Sequence, residues 1–185
     1  MKDASKAQDR MKAAGISPAS LPLGNAMAMG NWKAEIRGPD GVLIETLEWQ
    51  NLIVNTGLNQ LLGGGLAGAG PWYLGLTDSL PTVAAGDTMA AHAGWVEVAG
   101  YDEAARQAWT PGAVTAQAVN NNASASVFTV TSNSTTIGGA FLADSSTKSG
   151  TTGKLFAAGA FTQGDVTLSS GSTITVTAEF TQAAA

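Results

Sequence analysis

The stretch STITVTAEF, Ser172–Phe180, decides the fold class. Apolar residues occupy its even positions from Ile174 to Phe180, and polar residues occupy the odd positions from Thr173 to Glu179. A period of two is the period of a β-strand that buries one face. Thr, Ile and Val also favour the extended conformation. We therefore predict a half-buried strand here.

A second alternating segment, WKAEIR at 32–37, lies near the start of the chain. GPDG at 38–41 follows it and places proline where a β-turn favours it. The next run, VLIETLEW at 42–49, has the length of a return strand. The sequence therefore predicts a β-hairpin over residues 32–49.

Short apolar runs separated by Gly-, Ser- and Thr-rich turns predict most of the remaining structure. The further predicted strands are WYLGL (72–76), WVEV (95–98), SASVFTVTS (124–132), TIGGAFLAD (136–144) and GKLFAAGAF (153–161). Leucines at 58–62 before the Gly63–Gly65 run indicate one or two helical turns. Residues 101–109 fit a short helix or a bulged strand. Strands at this spacing indicate an all-β domain, either an antiparallel β-sandwich or a jelly roll.

The first 30 residues have a different character, so we divide the chain into an arm (1–30) and a β-sandwich domain (31–185). Residues 1–14 are mostly residue types that favour a helix, and we predict a short helix that ends at Gly15. Residues 15–30 contain two prolines and three glycines, which indicate an extended arm or a disordered tail. As an arm it needs a surface for its apolar side chains. The partner-binding residues predicted on it are Ile16, Leu21, Leu23, Met27 and Met29.

Composition excludes several classes of protein. Charged residues make up 12% of the chain, the net charge is −5, and there is no cysteine. The sequence has no basic stripe of the kind that would indicate a nucleic-acid partner. Without cysteine, the chain can form neither a disulfide nor a reactive thiolate. The start MKDASKAQDR lacks the apolar run of a signal peptide, and no run is long enough to span a bilayer. We expect a soluble protein made inside the cell, with no membrane partner.

The segment Trp72–Trp109 holds the most distinctive side chains: three of the five tryptophans, both tyrosines and the only histidine, His92. A hydrolytic triad needs a nucleophile, a base and an orienting group in contact, and no nucleophile-elbow motif is present. We predict no catalytic residue and no cofactor, and we interpret His92 as a hydrogen-bonded structural residue near Trp95. The tryptophans are expected in the core or in a subunit interface, which is commoner than carbohydrate stacking.

The acidic residues of this segment could be metal ligands, a glycosidase pair or solvated charges. Asp87 and His92 with Glu97 or Asp102 do not follow a recognised ligand spacing, so we predict no metal site. Glu97 and Asp102 have the residue types of a glycosidase pair, but solvated charges explain them equally well.

Two other charged groups have ordinary explanations. Asp102 and Glu103 precede Arg106 by four and three residues, which predicts surface salt bridges if the segment is helical. Glu45 and Glu48 again have the residue types of a glycosidase pair, and we interpret them as solvated charges.

Several segments together resemble a family of virion structural proteins from tailed bacteriophages. The resemblance covers about residues 32–181. Its most distinctive pieces are GDTMAAHAGW (86–95) followed by Glu97, RQAW (106–109) and TKSGTTGKLFAAG (147–159). These pieces are not catalytic motifs, so the resemblance implies a structural protein and no enzyme.

Within that class, the low-charge surface and the arm lead us to expect a capsid decoration or cement protein. Such a protein would bind the major capsid protein, associate with itself as a trimer or dimer, and lie on the capsid surface after synthesis in the bacterial cytoplasm. The alternative is a tail-fibre or receptor-binding module whose loop 77–94 or tryptophans contact host glycan. A virion-associated glycan hydrolase is a third hypothesis.

Overall fold

Antiparallel strands make up most of the regular secondary structure of the described chain. A computed structural model describes residues 27–66 and 70–183. The strands are β1 (Met27–Arg37), β2 (Leu43–Ile53), β3 (Trp72–Thr77), β4 (Gln107–Trp109), β5 (Ala118–Asn120), β6 (Ser126–Thr129), β7 (Thr135–Ile137), β8 (Gly139–Ala143), β9 (Leu155–Ala160), β10 (Val166–Leu168) and β11 (Thr173–Ala183). One helix, α1 (Asn55–Gly64), and a 3-10 turn (Asn122–Ser124) complete the described elements. The all-β prediction is confirmed.

One curled sheet contains nine of these strands, in the order β4-β3-β8-β9-β2-β1-β11-β5, with β6 also paired to β11. The remaining two strands, β7 and β10, form a small separate sheet. The curl brings opposite edges of the sheet together. The Ser126 hydroxyl of β6 donates a hydrogen bond to the Ala108 carbonyl of β4 at 2.8 Å. The Trp109 indole of β4 also donates to the Ala178 carbonyl of β11 at 3.2 Å. The result is a curled half-barrel with its core on the concave side.

The two alternating segments of the sequence form neighbouring strands. β1 and β11 pair antiparallel without interruption, from Met27 opposite Ala183 to Arg37 opposite Thr173. The alternating apolar positions from Trp32 to Ile36 and from Ile174 to Phe180 are buried, as the period of two predicts. The predicted hairpin is also confirmed, although β2 continues to Ile53, beyond the end predicted from the sequence.

Aromatic side chains form the centre of the core, and Phe180 of β11 joins three of them. Its ring packs edge-to-face on Trp32, Trp109 and Phe156, at centroid distances of 6.2, 5.7 and 5.2 Å. Phe156 in turn packs on Trp72 at 5.3 Å. Such pairs add about 0.5–1.5 kcal/mol each beyond the burial of their area. All five tryptophans are buried, so the prediction that they are core residues is confirmed.

The arm residues fall mostly outside the described structure. Ile16, Leu21 and Leu23 precede it, and nothing further is observed of them. Met27 and Met29 lie in β1, where their backbones are in register with Ala183 and Thr181. β1 therefore includes residues 27–30, which the sequence predicted to be part of the arm.

Two local predictions differ from the structure, and a third left two alternatives open. The segment 95–98 is not a strand, because only Glu97 forms a β-bridge, with Thr77 at the end of β3. For residues 101–109 the sequence allowed a short helix or a bulged strand, and the structure has bends that lead into the short strand β4. The sequence also missed β5 and β10, which are three residues each and too short to show a period.

We predict that Gly75 of β3 cannot accept a side chain. A Cβ atom there would lie 2.3 Å from Cζ of the buried Phe141 ring, whereas a Cβ on Gly86 would meet nothing within 4 Å. We expect Gly75→Ala to lower the free energy of unfolding by about 1–3 kcal/mol, since the packed ring must move. Gly86→Ala should change it by about 0.5 kcal/mol or less. Urea denaturation of both variants measures this, and equal effects would contradict the packing described.

Candidate functional site

The segment that follows β3 carries the most highly connected polar side chain of the described protein, Arg106. Residues 96–98 run back beside β3: the Asp78 amide donates to the Val96 carbonyl at 3.0 Å, and the Val98 amide donates to the Leu76 carbonyl at 2.9 Å. This backbone pairing places the Glu97 side chain next to the sheet. Arg106 then reaches Glu97 from just before β4.

The Arg106 guanidinium is fully buried and makes four hydrogen bonds. Its Nε and Nη2 donate to the two Glu97 carboxylate oxygens at 3.0 and 2.7 Å. Nη1 donates to the Ser145 carbonyl at 2.9 Å, and Nη2 also donates to the Gly150 carbonyl at 2.8 Å. The Arg106 side chain is 0% exposed and that of Glu97 is 7% exposed. A bidentate ion pair of this kind is strongly oriented and is costly to break from one side only.

The turn that follows β8, residues 144–154, is held to this ion pair. The Ser149 amide donates to Glu97 Oε2 at 2.9 Å, and the Arg106 amide donates to the Ser146 carbonyl at 2.9 Å. Lys148 lies over the Tyr101 ring at 3.9 Å and donates to the Tyr101 carbonyl at 2.8 Å. Burial, and then the nearby Glu97 carboxylate, raise the pKa of the Tyr101 phenol well above its usual value. The phenol therefore stays protonated and offers no base.

The predicted partners of Arg106 have other contacts. Glu103 accepts the Thr129 amide with both carboxylate oxygens, at 3.1 Å each, and Asp102 is exposed. The prediction of helical salt bridges from Asp102 and Glu103 to Arg106 is therefore wrong, because the segment is not a helix and Arg106 turns inward to Glu97. The same contact commits Glu97 to a structural ion pair, so only one carboxylate of the suggested pair Glu97 and Asp102 is free to act on a substrate.

His92 has the structural role predicted for it. Its Nδ1 lies 3.0 Å from the Trp95 carbonyl oxygen, and its ring stacks on the Trp95 indole with centroids 3.7 Å apart. Trp95 packs in turn on Phe141 of β8, at 4.9 Å. This stack attaches the loop 77–94 to the sheet. Asp87, the suggested co-ligand, instead accepts the Ala84 amide at 3.1 Å within the loop.

The other suggested pair, Glu45 and Glu48, lies on β2. A spacing of three places two side chains on opposite faces of a strand. The pair therefore does not converge on one side of a substrate. Across residues 27–66 and 70–183, no group of three or more His, Asp or Glu side chains is arranged to hold a metal ion.

A polar groove of about 740 Å³ lies on the outer face of the sheet, where β2, β1 and β11 are neighbours. Amide, carboxylate and ammonium groups line it; they include Asn31, Lys33, Glu48, Gln50, Asn122 and Glu179. The Lys33 ammonium pairs with Glu35 at 3.0 Å. Sequence reasoning missed this groove, since its walls come from strands far apart in the chain. The only signal was that these strands alternate polar residues with apolar ones.

All five tryptophans are almost fully buried, although Trp32 and Trp49 are among the residues that line the groove. Their exposed fractions range from 1% for Trp32 to 4% for Trp49 and Trp95. Their burial leaves little indole surface for carbohydrate stacking, and the glycan-binding alternative stays a prediction. The described helix is not long and apolar enough to cross a membrane.

Comparison with known proteins adds no assignment: no family model, no curated protein and no solved structure matches this chain.

We predict that removing one partner of the Arg106–Glu97 pair destabilises the fold far more than removing one partner of a surface ion pair does. Arg106→Met leaves a buried carboxylate without its partner, and we expect it to cost about 3–5 kcal/mol of the free energy of unfolding. Arg37→Met removes a half-exposed pair with Glu35 and should cost about 1 kcal/mol or less. Thermal and urea denaturation of both variants measure the difference.

The double variant Arg106→Met/Glu97→Leu provides the control for this experiment. Because it removes both buried charges, we expect it to recover part of the stability lost in Arg106→Met. Equal losses in Arg106→Met and Arg37→Met would contradict the structural importance of the buried pair.

Proposed function

We propose that this chain is a capsid decoration protein of a tailed bacteriophage. In this proposal it associates with itself, binds the outer face of the major capsid protein and stabilises the head without catalysing a reaction. Its location is the capsid surface of the virion. The proposal starts from the sequence resemblance over residues 32–181 and from the way in which the protein uses its polar groups.

The observation that carries the proposal is that the most distinctive reactive side chains of the described structure are used in folding. Arg106 and Glu97 neutralise each other in the interior, and His92 is stacked on Trp95. A catalytic site would instead need such groups to converge on a space for substrate. A structural role needs only a stable body and a surface for a neighbour.

The shape of the body is compatible with this role. The curl of the sheet makes β4 and β6 meet, so that its two halves face each other as the layers of a β-sandwich do. We propose on this basis that the domain functions as a sandwich-like or jelly-roll-like module. Its low content of charged residues, 12%, leaves many small neutral side chains, which are suited to packing against other protein.

One observation favours the second candidate, a receptor-binding module. The polar groove on the outer face of β2, β1 and β11 has the amide and carboxylate side chains that bind sugar hydroxyl groups. Under this alternative the glycan would bind in this groove, which Trp32 and Trp49 also line. The alternative predicts that the purified protein binds host cells and that Glu48→Ala weakens this binding.

The copy number of the protein in purified virions distinguishes the two candidates. A decoration protein should be present in proportion to the major capsid protein, and electron microscopy should show it on the head. A copy number comparable to that of tail-tip proteins, together with binding to host cells, would overturn the proposal and support the receptor-binding module. Quantitative mass spectrometry of the particles gives the ratio.

We further predict that deleting residues 1–26 leaves the domain folded but removes it from capsids. The deletion should end at residue 26, because Met27–Gly30 pair with Phe180–Ala183 and a longer deletion shortens the β1–β11 ladder. Circular dichroism and thermal denaturation check the fold, and sedimentation with capsids that lack the protein checks attachment. If the truncated protein decorated capsids fully, the role of the arm would be refuted.

A further inference from the structure

The outer edge of β2 is open near the tip of the first hairpin. β2 pairs with β1 along its length, but on its other side it pairs with β9 only at Leu52 and Ile53. The Thr162 hydroxyl, which donates to the Glu48 carbonyl at 3.2 Å, covers the next part of this edge. Among the described residues no backbone partner reaches the outer side of Leu43–Leu47. An open edge of this kind can accept an additional strand.

Three consecutive aliphatic side chains are exposed at the same place. Val42, Leu43 and Ile44 have exposed fractions of 60%, 45% and 62%. Ile44 is the extra residue of a β-bulge, since Ile36 pairs with Glu45 and Arg37 pairs with Leu43. The bulge keeps the regular part of the edge short, so an added strand can form only a few backbone hydrogen bonds there. To bind stably, such a strand must also bury apolar side chains.

The segment SPASLPL, residues 17–23, has the pattern of a strand that can pair on one edge only. In an extended chain, alternate residues direct their backbone groups to opposite edges. The prolines Pro18 and Pro22 both fall on the even edge, where they block hydrogen bonding. The odd edge, Ser17 to Leu23, keeps every amide donor. Residues 15–26 also contain no charged side chain, so docking on an aliphatic patch desolvates no charge.

Chain length decides which copy supplies the segment. Leu47 lies opposite Ala34 of β1, and Ala34 is seven residues after Met27, or about 23 Å along the strand. Leu23 precedes Met27 by four residues, which span at most about 14 Å. In either direction of pairing, the segment of the same copy is therefore too short to lie beside Leu43–Leu47. A second copy has no such limit.

We propose that residues 17–23 of one copy add as an edge strand to the Leu43–Leu47 edge of a second copy and cover Val42, Leu43 and Ile44. The contact is heterologous, because the donor and acceptor surfaces differ, and it closes into a ring when the rotation between copies permits. This inference rests on the self-association in the proposed function and specifies the surfaces. It is tested on purified protein, so its failure leaves the capsid location to be decided by the copy number.

Two proline variants of the full-length chain test the donor strand. Ala19→Pro places a proline on the pairing edge, whereas Ser20→Pro places a third proline on the edge that is already blocked. We expect Ala19→Pro to weaken self-association about tenfold or more and Ser20→Pro to leave it unchanged. Sedimentation velocity over a concentration series measures both. Equal behaviour of the two variants, or a full-length chain that is monomeric throughout, would overturn the proposal.

Acceptor variants test the other surface. Ile44→Glu adds a charge to the covered patch, and Val127→Glu adds the same charge to another exposed aliphatic position, on β6. We expect Ile44→Glu to dissociate the oligomer and Val127→Glu to leave it intact. Thermal denaturation of both variants shows whether the fold is retained. If Val127→Glu dissociated the oligomer and Ile44→Glu did not, the assigned acceptor would be wrong.

Cross-linking between copies identifies the contact directly, because the natural chain contains no cysteine. Separately purified Ser20→Cys and Ile44→Cys proteins are mixed and oxidised. We expect a disulfide-linked heterodimer in higher yield than from Ser20→Cys mixed with Val127→Cys. Equal yields would mean that the cross-link reports random collision, and the proposal would fail.

Discussion

The buried ion pair between Arg106 and Glu97 is the constraint on which the irregular half of this protein depends. A guanidinium in the interior requires acceptors in several directions, and it obtains them from Glu97, Ser145 and Gly150. These residues come from two separate segments of irregular chain, one before β4 and one after β8. Apolar burial is non-directional, so by itself it would let these two segments shift relative to each other. The bidentate pair fixes both the distance and the angle between the guanidinium and the carboxylate. The sheet is thus held mainly by its aromatic core, whereas the ion pair fixes the segment before β4 to the turn after β8.

The sequence predicts those parts of the fold in which one strand face is buried and the other is solvated. β11 and β1 belong to this class, and their alternation identifies the buried residues, such as Ile174 and Trp32. β8 and β9 are buried on both faces, so their apolar runs identify strands but not faces. Arg106 was misassigned for a different reason. Rules for charged pairs three or four residues apart hold on a helix, and its partner is nine residues away across a bend.

The first hairpin presents two surfaces of opposite chemistry. Its outer face contributes amide and carboxylate groups to the polar groove, together with β11. Its tip and free edge are aliphatic, from Val42 to Ile44. No local sequence rule shows the groove, because register brings Asn31, Gln50 and Glu179 side by side from three strands. The exposed tip, in contrast, is visible as three consecutive aliphatic residues after a turn, but only the structure shows that no strand of residues 27–66 and 70–183 covers them.

The ladder between β1 and β11 also has a consequence for synthesis. β1 pairs with β2 soon after both leave the ribosome, but its other edge must wait for β11, the last strand of the described sheet. Phe180, which joins Trp32, Trp109 and Phe156, arrives with that strand. Non-local pairing of this kind slows folding and leaves apolar strands uncovered in the meantime. Before β11 pairs, the chain lacks Phe180 at the centre of its aromatic core, and the apolar rings of Trp32, Trp109 and Phe156 lose their common contact.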